Sequence, residues 1–232
     1  EVEIVDGGAV ALGLDLQASS TALANLAVLG FGNAAGSNND ADVRVGAAAA
    51  GVTLDRCVLG GAATAFVDPG AAARSGGDHL RVLGGDNGVV TGCLIGFGAG
   101  NGVALTAGSN GWQLAGSEIR GNAVGNPARA GISIEGSGAE ILVQCLIAAQ
   151  AGPGVDAASS TGSNALTNCT VSGNGVGAGA GLVTPGLRLG GTGGSVARCV
   201  IRDNYGAGVM VASSATTQVV TRSQFQNNGG VA

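Results

Sequence analysis

The sequence predicts an all-β fold, a solenoid of about eight coils in which short strands stack on their counterparts in neighbouring coils. Three observations predict it. Gly supplies 46 of the 232 residues, whereas aromatic residues make only 3 % and charged residues 11 %; an ordinary globular chain holds roughly 7 % Gly and about 25 % charge. A six-residue pattern, Leu/Val-x-x-Cys/Ser/Leu-x-Ile/Val/Leu/Phe, returns eight times. A second pattern, aliphatic-x-aliphatic and often opened by Gly, precedes every copy of the first.

The six-residue pattern starts at Leu23, Leu54, Val90, Leu114, Leu142, Leu166, Val196 and Val220, at intervals of 31, 36, 24, 28, 24, 30 and 24 residues. The three intervals of 24 set the basic unit and the others carry insertions. The Gly-strand pattern runs as Leu14-Asp15-Leu16, Val43-Arg44-Val45, Leu80-Arg81-Val82, Val103-Ala104-Leu105, Ile132-Ser133-Ile134, Val155-Asp156-Ala157, Leu187-Arg188-Leu189 and Val209-Met210-Val211. Its last aliphatic stands 7 to 9 residues before the next six-residue start, so the insertions fall on the other side of the unit. Alternation of this kind is the two-residue period of a strand with one buried face. Strands this short cannot bury that face alone, and stacking the units makes one continuous core. Equivalent strands then run parallel about 4.8 Å apart, giving a rod on the order of 40 Å long for eight coils.

Composition removes several classes. Four Pro and no Gly-x-y period exclude collagen, and no apolar run reaches the roughly 18 residues of a membrane span. Net charge is −5 and every basic residue is Arg, with no basic stripe. Nucleic acid is therefore a poor partner, and no mechanism can rest on a Lys base or Schiff base. The whole chain, 1–232, reads as one domain with a repeat core over about 13–225.

Copies such as Val196-Ala-Arg-Cys-Val-Ile-Arg-Asp-Asn204 and Gly208-Val-Met-Val211 resemble the right-handed parallel β-helix of the pectin-lyase-like superfamily, and the likeness runs from about Gly13 to Phe225. The resemblance implies a single-stranded right-handed coil and an extracellular or cell-surface setting. It implies no one activity, because that superfamily spans lyases, hydrolases, epimerases, phage spikes, adhesins and inert scaffolds.

Two residue columns follow from the repeat. All five cysteines, Cys57, Cys93, Cys145, Cys169 and Cys199, occupy its fourth position, where Ser and Leu also occur. That pattern suits a small buried residue better than disulfides, since neighbours in a ladder point the same way. Zinc is not expected without Cys-x-x-Cys or a nearby His. Five residues further on stand Asn122, Asn174, Asn204 and Asn228. Stacked Asn at a turn bonds its neighbours and the open backbone, and the resemblance implies such a ladder as well.

In enzymes of the resembled superfamily, chemistry sits on the outer face of one strand column. The outward middle residues of the Gly strands are Asp15, Arg44, Arg81, Ala104, Ser133, Asp156, Arg188 and Met210, a column without grouped carboxylates for a lyase or glycosidase site. The densest polar cluster is in coils two and three. Asn38, Asn39, Asp40 and Asp42 lead into Arg44, and Asp78 and the lone His79 lead into Arg81. Arg44 and Arg81 suit an acidic sugar, His79 an acid or base, and Asp40, Asp42 and Asp78 a hard cation such as calcium. The bland alternative is a solvated loop edge. Trp112, two residues before an inward Leu, is expected to be partly buried.

No amphipathic segment caps either end: Glu1-Val2-Glu3-Ile4-Val5 alternates like a strand and Gly230-Val231-Ala232 reads like the start of another Gly strand. Excision from a longer β-helix and head-to-tail stacking of copies both fit. The sequence thus favours a non-catalytic, secreted structural rod that associates with itself in a filament, surface layer or adhesin, without cofactor. The alternative is a polysaccharide-binding or polysaccharide-degrading β-helix using the cluster in coils two and three.

Overall fold

The six-residue pattern hides a corner. Its third residue, at Asn25, Arg56, Gly92, Gly116, Gln144, Asn168, Arg198 and Arg222, is left-handed with φ between 49° and 59°. One such residue turns the chain from one short strand into the next. Gly takes this geometry freely, whereas other residues pay roughly 1–2 kcal/mol. Because the corner side chain points to solvent, its chemistry is free to vary. A computed structural model describes residues 2–6, 10–33, 37–136, 138–177 and 184–229, and its described residues hold strands and turns but no helix.

Three parallel sheets run the length of the molecule. Sheet B collects the Gly strands: β2 (Leu12–Leu16), β5 (Ala41–Val45), β8 (Asp78–Val82), β11 (Val103–Leu105), β14 (Ile132–Ile134), β17 (Val155–Asp156), β20 (Leu187–Leu189) and β23 (Val209–Val211). Sheet C runs from β3 (Ala22–Ala24) to β24 (Val219–Thr221), before the corner. Sheet A runs from β4 (Leu26–Leu29) to β25 (Gln224–Gln226), after it, with β1 (Val2–Val5) added at the N-terminal edge. One strand from each of B, C and A makes a coil, eight in all among the described residues. Pairing keeps the repeat in register, as in Leu114↔Leu142, Ile119↔Ile147 and Ser133↔Asp156. Each column therefore buries like on like, and Leu54, Val90, Leu114, Val28, Ile95 and Leu80 are all sealed from solvent.

The cysteine column lies just past the corner and is buried, with all five thiols free. Each bridges coils: Sγ of Cys145, Cys169 and Cys199 donates to the carbonyls of Leu114, Leu142 and Leu166 at 3.4, 3.4 and 3.7 Å. Ser serves in the same slot, where Oγ of Ser117 and Ser223 accepts from the amides of Cys93 and Cys199, each at 3.1 Å. From coil two onward the slot thus holds a small side chain that can both donate and accept.

At the turn from sheet A back to sheet B, Asn122, Asn174, Asn204 and Asn228 stand in one column together with Gln150. Amides of Asn122, Gln150, Asn174 and Asn204 donate to the side-chain oxygen one coil on, at 2.8–3.3 Å. The side-chain nitrogens donate to Ile95, Ile119, Ile147, Val171 and Ile201 carbonyls. Buried backbone at the turn is thereby satisfied, which otherwise costs about 1–3 kcal/mol per group. A shorter ladder at the B–C turn, Trp112 N–H to Glu140 and Glu140 N–H to Asn164, carries no repeat signature. Trp112 is wholly rather than partly buried, its Nε1 donating to Gly85 O at 2.5 Å. Gly88 leaves the room that the indole fills. The Gly230–Ala232 strand suggested by the sequence lies outside the described residues.

Candidate functional site

The outer face of sheet B holds two depressions. Outward positions alternate with core positions, so the middle strand residue and the residue two further on both face out. The second column, Leu83, Thr106, Glu135 and Ala158, joins the first to floor a groove. A cavity of about 360 Å³ is lined by Asn101, Arg129, Ser133, Glu135, Asp156 and Arg188, among others. A second, about 400 Å³, is lined by Asn38, Arg81, Leu83, Thr106, Ala107 and Glu135. Glu135 belongs to both, and Ser133 Oγ donates to its Oε1 at 3.0 Å.

Charges in and beside the groove are matched. Arg188 Nη1 meets Asp156 Oδ2 at 2.8 Å. Towards the N-terminal end of the same face, on coils one and two, Arg44 meets Asp15 at 2.6 Å, and this hydrogen bond holds the Asp15 carboxyl below its ordinary pKa. Arg81 is nearly buried, held by Asp78 at 2.5 Å and by Asn38 Oδ1 at 2.9 and 2.6 Å. Asp78 turns its other oxygen to the N–H and Nδ2 of Asn101, whose own Oδ1 accepts from Ala130 N–H. One buried carboxylate thus ties the Arg81 wall of one cavity to the Asn101 wall of the other.

The cluster read from coils two and three is divided by the fold. Arg44 and Arg81 are adjacent on paired strands, each already bound to a carboxylate. His79 is not with them on the surface: it is sealed inside with Asp42, Nδ1 to Oδ2 at 2.5 Å. Ser75 Oγ at 2.8 Å and Phe31 N–H at 3.2 Å also donate to Asp42. Burial raises the Asp42 pKa, against the lowering by His79, Ser75 and Phe31. Asp42 and His79 lie inside β5 and β8 but are skipped by the strand ladder, which passes from Ala41↔Asp78 to Val43↔Leu80, so the alternation breaks there and both side chains enter the interior. The three candidate calcium carboxylates do not converge either. Asp40 takes the amide of Asn33, Asp42 faces His79 and Asp78 faces Arg81. Among the described residues no three His, Cys, Asp or Glu side chains group as metal ligands.

Sequence reading missed Glu135, Arg129 and Asn101. Glu135 was recoverable, since extending the alternation of Ile132-Ser133-Ile134 by one residue points it outward. Arg129 and Asn101 lie in turns whose lengths vary between coils, where periodicity gives no signal.

A family model for the right handed beta helix region matches residues 36–186. No curated protein matches the sequence. Among solved structures, the A-module of mannuronan C-5 epimerase AlgE6 from Azotobacter vinelandii superposes with a TM-score of 0.61 at 14 % identity, over 92 % of this chain and 55 % of that one. The Dettilon tailspike protein gives 0.61 at 13 % identity, over 96 % of this chain and 46 % of its own. The A-module of mannuronan C-5 epimerase AlgE4, from the same bacterium, gives 0.53 at 13 %, over 100 % of this chain and 79 % of its own. The chain spans about half the length of the first two, and at these identities the likeness is one of fold. Among the described residues no helix is long and apolar enough to cross a membrane.

Proposed function

The chain belongs to the right-handed parallel β-helix family, and on that premise we propose that it binds or processes a polysaccharide laid across the outer face of sheet B. The observation that carries this is the groove itself: two cavities of about 360 and 400 Å³ share Glu135 and follow successive coils of one face. An elongated depression floored by hydroxyls, amides and paired charges suits an extended chain of hydroxylated units, each able to trade hydrogen bonds with Asn38, Thr106 or Ser133. Similarity of fold to two epimerase modules that are named for mannuronan supports the substrate class. Glu135 is the groove's acid or base, and Arg188 and Arg81 orient the chain. The reading places the protein outside the cell or at its surface, where polysaccharide chains are met.

A binding panel tests it. The protein is titrated calorimetrically with mannuronan, polygalacturonate and a neutral glucan, beside Glu135→Gln and Arg188→Ala. At least one polymer is expected to bind, with affinity falling tenfold or more in Arg188→Ala and turnover, where present, lost in Glu135→Gln. No binding to any polymer, or binding untouched by both changes, would overturn the assignment.

A further inference from the structure

We propose that the polymer taken by this groove is a neutral polysaccharide, one whose sugars carry hydroxyls but no carboxylate. The inference rests on the glycan reading of the outer face of sheet B and narrows it. It departs from mannuronan, the acidic polymer for which two of the similar modules are named.

Arg suits a sugar carboxylate because its fork can donate two parallel hydrogen bonds to the two oxygens. On this face the forks already hold acids of the chain itself. Arg188 Nη1 donates to Asp156 Oδ2 at 2.8 Å. Arg44 donates through Nε and Nη2 to the two oxygens of Asp15, at 3.0 and 2.6 Å. Arg81 is 4 % exposed, with Asp78 on Nη1 and Asn38 Oδ1 on both Nε and Nη2. Arg129, in the lining of the first cavity, is not free either.

A uronate carboxylate would have to displace Asp156 or Asp78 from its base. Asp78 is sealed from solvent, and the loss of Arg81 would strand it as a buried unpaired charge, which is strongly destabilising. No field draws a polyanion in, either. Arg81, Arg129 and Arg188 line the two cavities, against Glu135 and Asp156 in the lining and Asp78 behind Arg81. Three bases meet three acids, in a chain whose net charge is −5. The groove is balanced and the molecule as a whole repels a polyanion.

What the groove offers is suited to hydroxyls. Thr106 Oγ1 donates to Val82 O at 2.7 Å and Ser133 Oγ to Glu135 Oε1 at 3.0 Å, so both turn lone pairs to a ligand. A sugar hydroxyl can donate to them or to Glu135 without breaking an ion pair. Leu83, Ala107 and Ala158 supply a small apolar floor for the C–H faces of the rings.

Calorimetric titration at low and high salt tests the proposal, with a neutral glucan, mannan and galactan set against mannuronan and polygalacturonate. The best neutral polymer is expected to bind tenfold or more tighter than either polyuronate, with an affinity that salt leaves nearly unchanged. Asp156→Asn keeps an oxygen for the Ala158 N–H, which Asp156 Oδ1 now accepts, but removes the charge that holds Arg188. With an unaltered melting curve to show that it folds, this variant should gain tenfold or more in polyuronate affinity, in a salt-sensitive way. Wild-type protein that prefers a polyuronate overturns the inference and leaves the glycan reading standing. So does an Asp156→Asn variant that gains no polyuronate affinity. No binding to any of these polymers overturns the glycan reading itself, and this inference with it.

Discussion

In coils four to eight the turn from sheet A to sheet B is filled from the sheet A side. Asn122, Gln150, Asn174, Asn204 and Asn228 reach across to Gly102, Gly131, Gly154, Gly186 and Gly208, where a Cβ would lie 2.7–2.9 Å from the amide. In coil three the arrangement is inverted. The ladder position is Gly98, and the side chain comes from the sheet B side as His79, whose Nε2 lies 2.6 Å from where a Gly98 Cβ would stand. Coil two also fills the turn from the sheet B side, with Asp42 buried there although its ladder position is Ala62, and coil one reverts, Phe31 packing over Gly13. The same space is thus filled from either wall, and in coils one, three and four to eight the opposite wall is Gly. An amide ladder serves many coils because each member both donates and accepts. The His79–Asp42 pair serves two and leaves His79 Nε2 without a hydrogen-bond partner among the described residues.

If the two walls share one space, changes across it must couple. His79→Gly removes the partner of a buried carboxylate, which costs about 3–5 kcal/mol. Gly98→Asn forces an amide into the imidazole and costs roughly 1–3 kcal/mol as overpacking. Urea unfolding of the double variant is expected to show a loss smaller than the sum of the singles by about 1 kcal/mol or more, because the new amide occupies the vacated room. Strict additivity would break the comparison.

The inversion was only partly legible. Cys57 through Cys199 and Asn122 through Asn228 announce their columns because one residue type recurs at a fixed offset. Gln150 falls in the same column but differs in type, and the six-residue pattern did not flag it. Asp42 and His79 stand where later coils carry Gly, yet a polar residue before an outward Arg looks like surface until the break in the strand ladder is seen to turn it inward. The glycines opposite the ladder were the missed clue, since Gly102, Gly131, Gly154, Gly186 and Gly208 share an offset that Asp42 and His79 interrupt. In the candidate site, the Asp15 to Met210 column was readable from alternation. The groove walls were not, since Arg129 and Asn101 depend on turns of variable length.

A smaller effect sharpens the contrast through pH. Asp42 has its pKa raised by burial, so the folded state holds that proton more tightly than the unfolded chain. Its contribution is fully present in acid and is lost as pH rises through the folded pKa. Asp15, lowered by Arg44, acts in the opposite sense and loses its contribution only as pH falls through its own depressed value. The amides of coils four to eight do not titrate. Unfolding measured as pH rises from the ordinary carboxylate range should therefore show wild-type stability declining relative to Asp42→Asn, whose profile is flatter. Parallel profiles would mean that the buried pair carries no pH dependence.

The smallest expected change is a control that both regions should pass alike. The cysteine column occurs in both the inverted and the ladder coils, with Cys93 in coil three and Cys169 in coil six, each Sγ donating to a carbonyl of the coil before, Leu54 at 3.6 Å and Leu142 at 3.4 Å. Their thiols differ electrostatically, Cys93 being pushed up by the neighbouring Cys57 and Cys169 raised to about 11 by Cys145, but both stay protonated donors. Ser already fills this slot at Ser117 and Ser223, so a hydroxyl fits its donor and acceptor geometry. Cys93→Ser and Cys169→Ser should each cost about 1 kcal/mol or less, as near-isosteric exchanges do, and by the same amount within the error of chemical denaturation. A markedly larger loss at Cys93 would place the difference between the two regions in the core as well as at the turn, and the exchange of walls between His79 and Gly98 would then be one consequence of a differently packed N-terminal third.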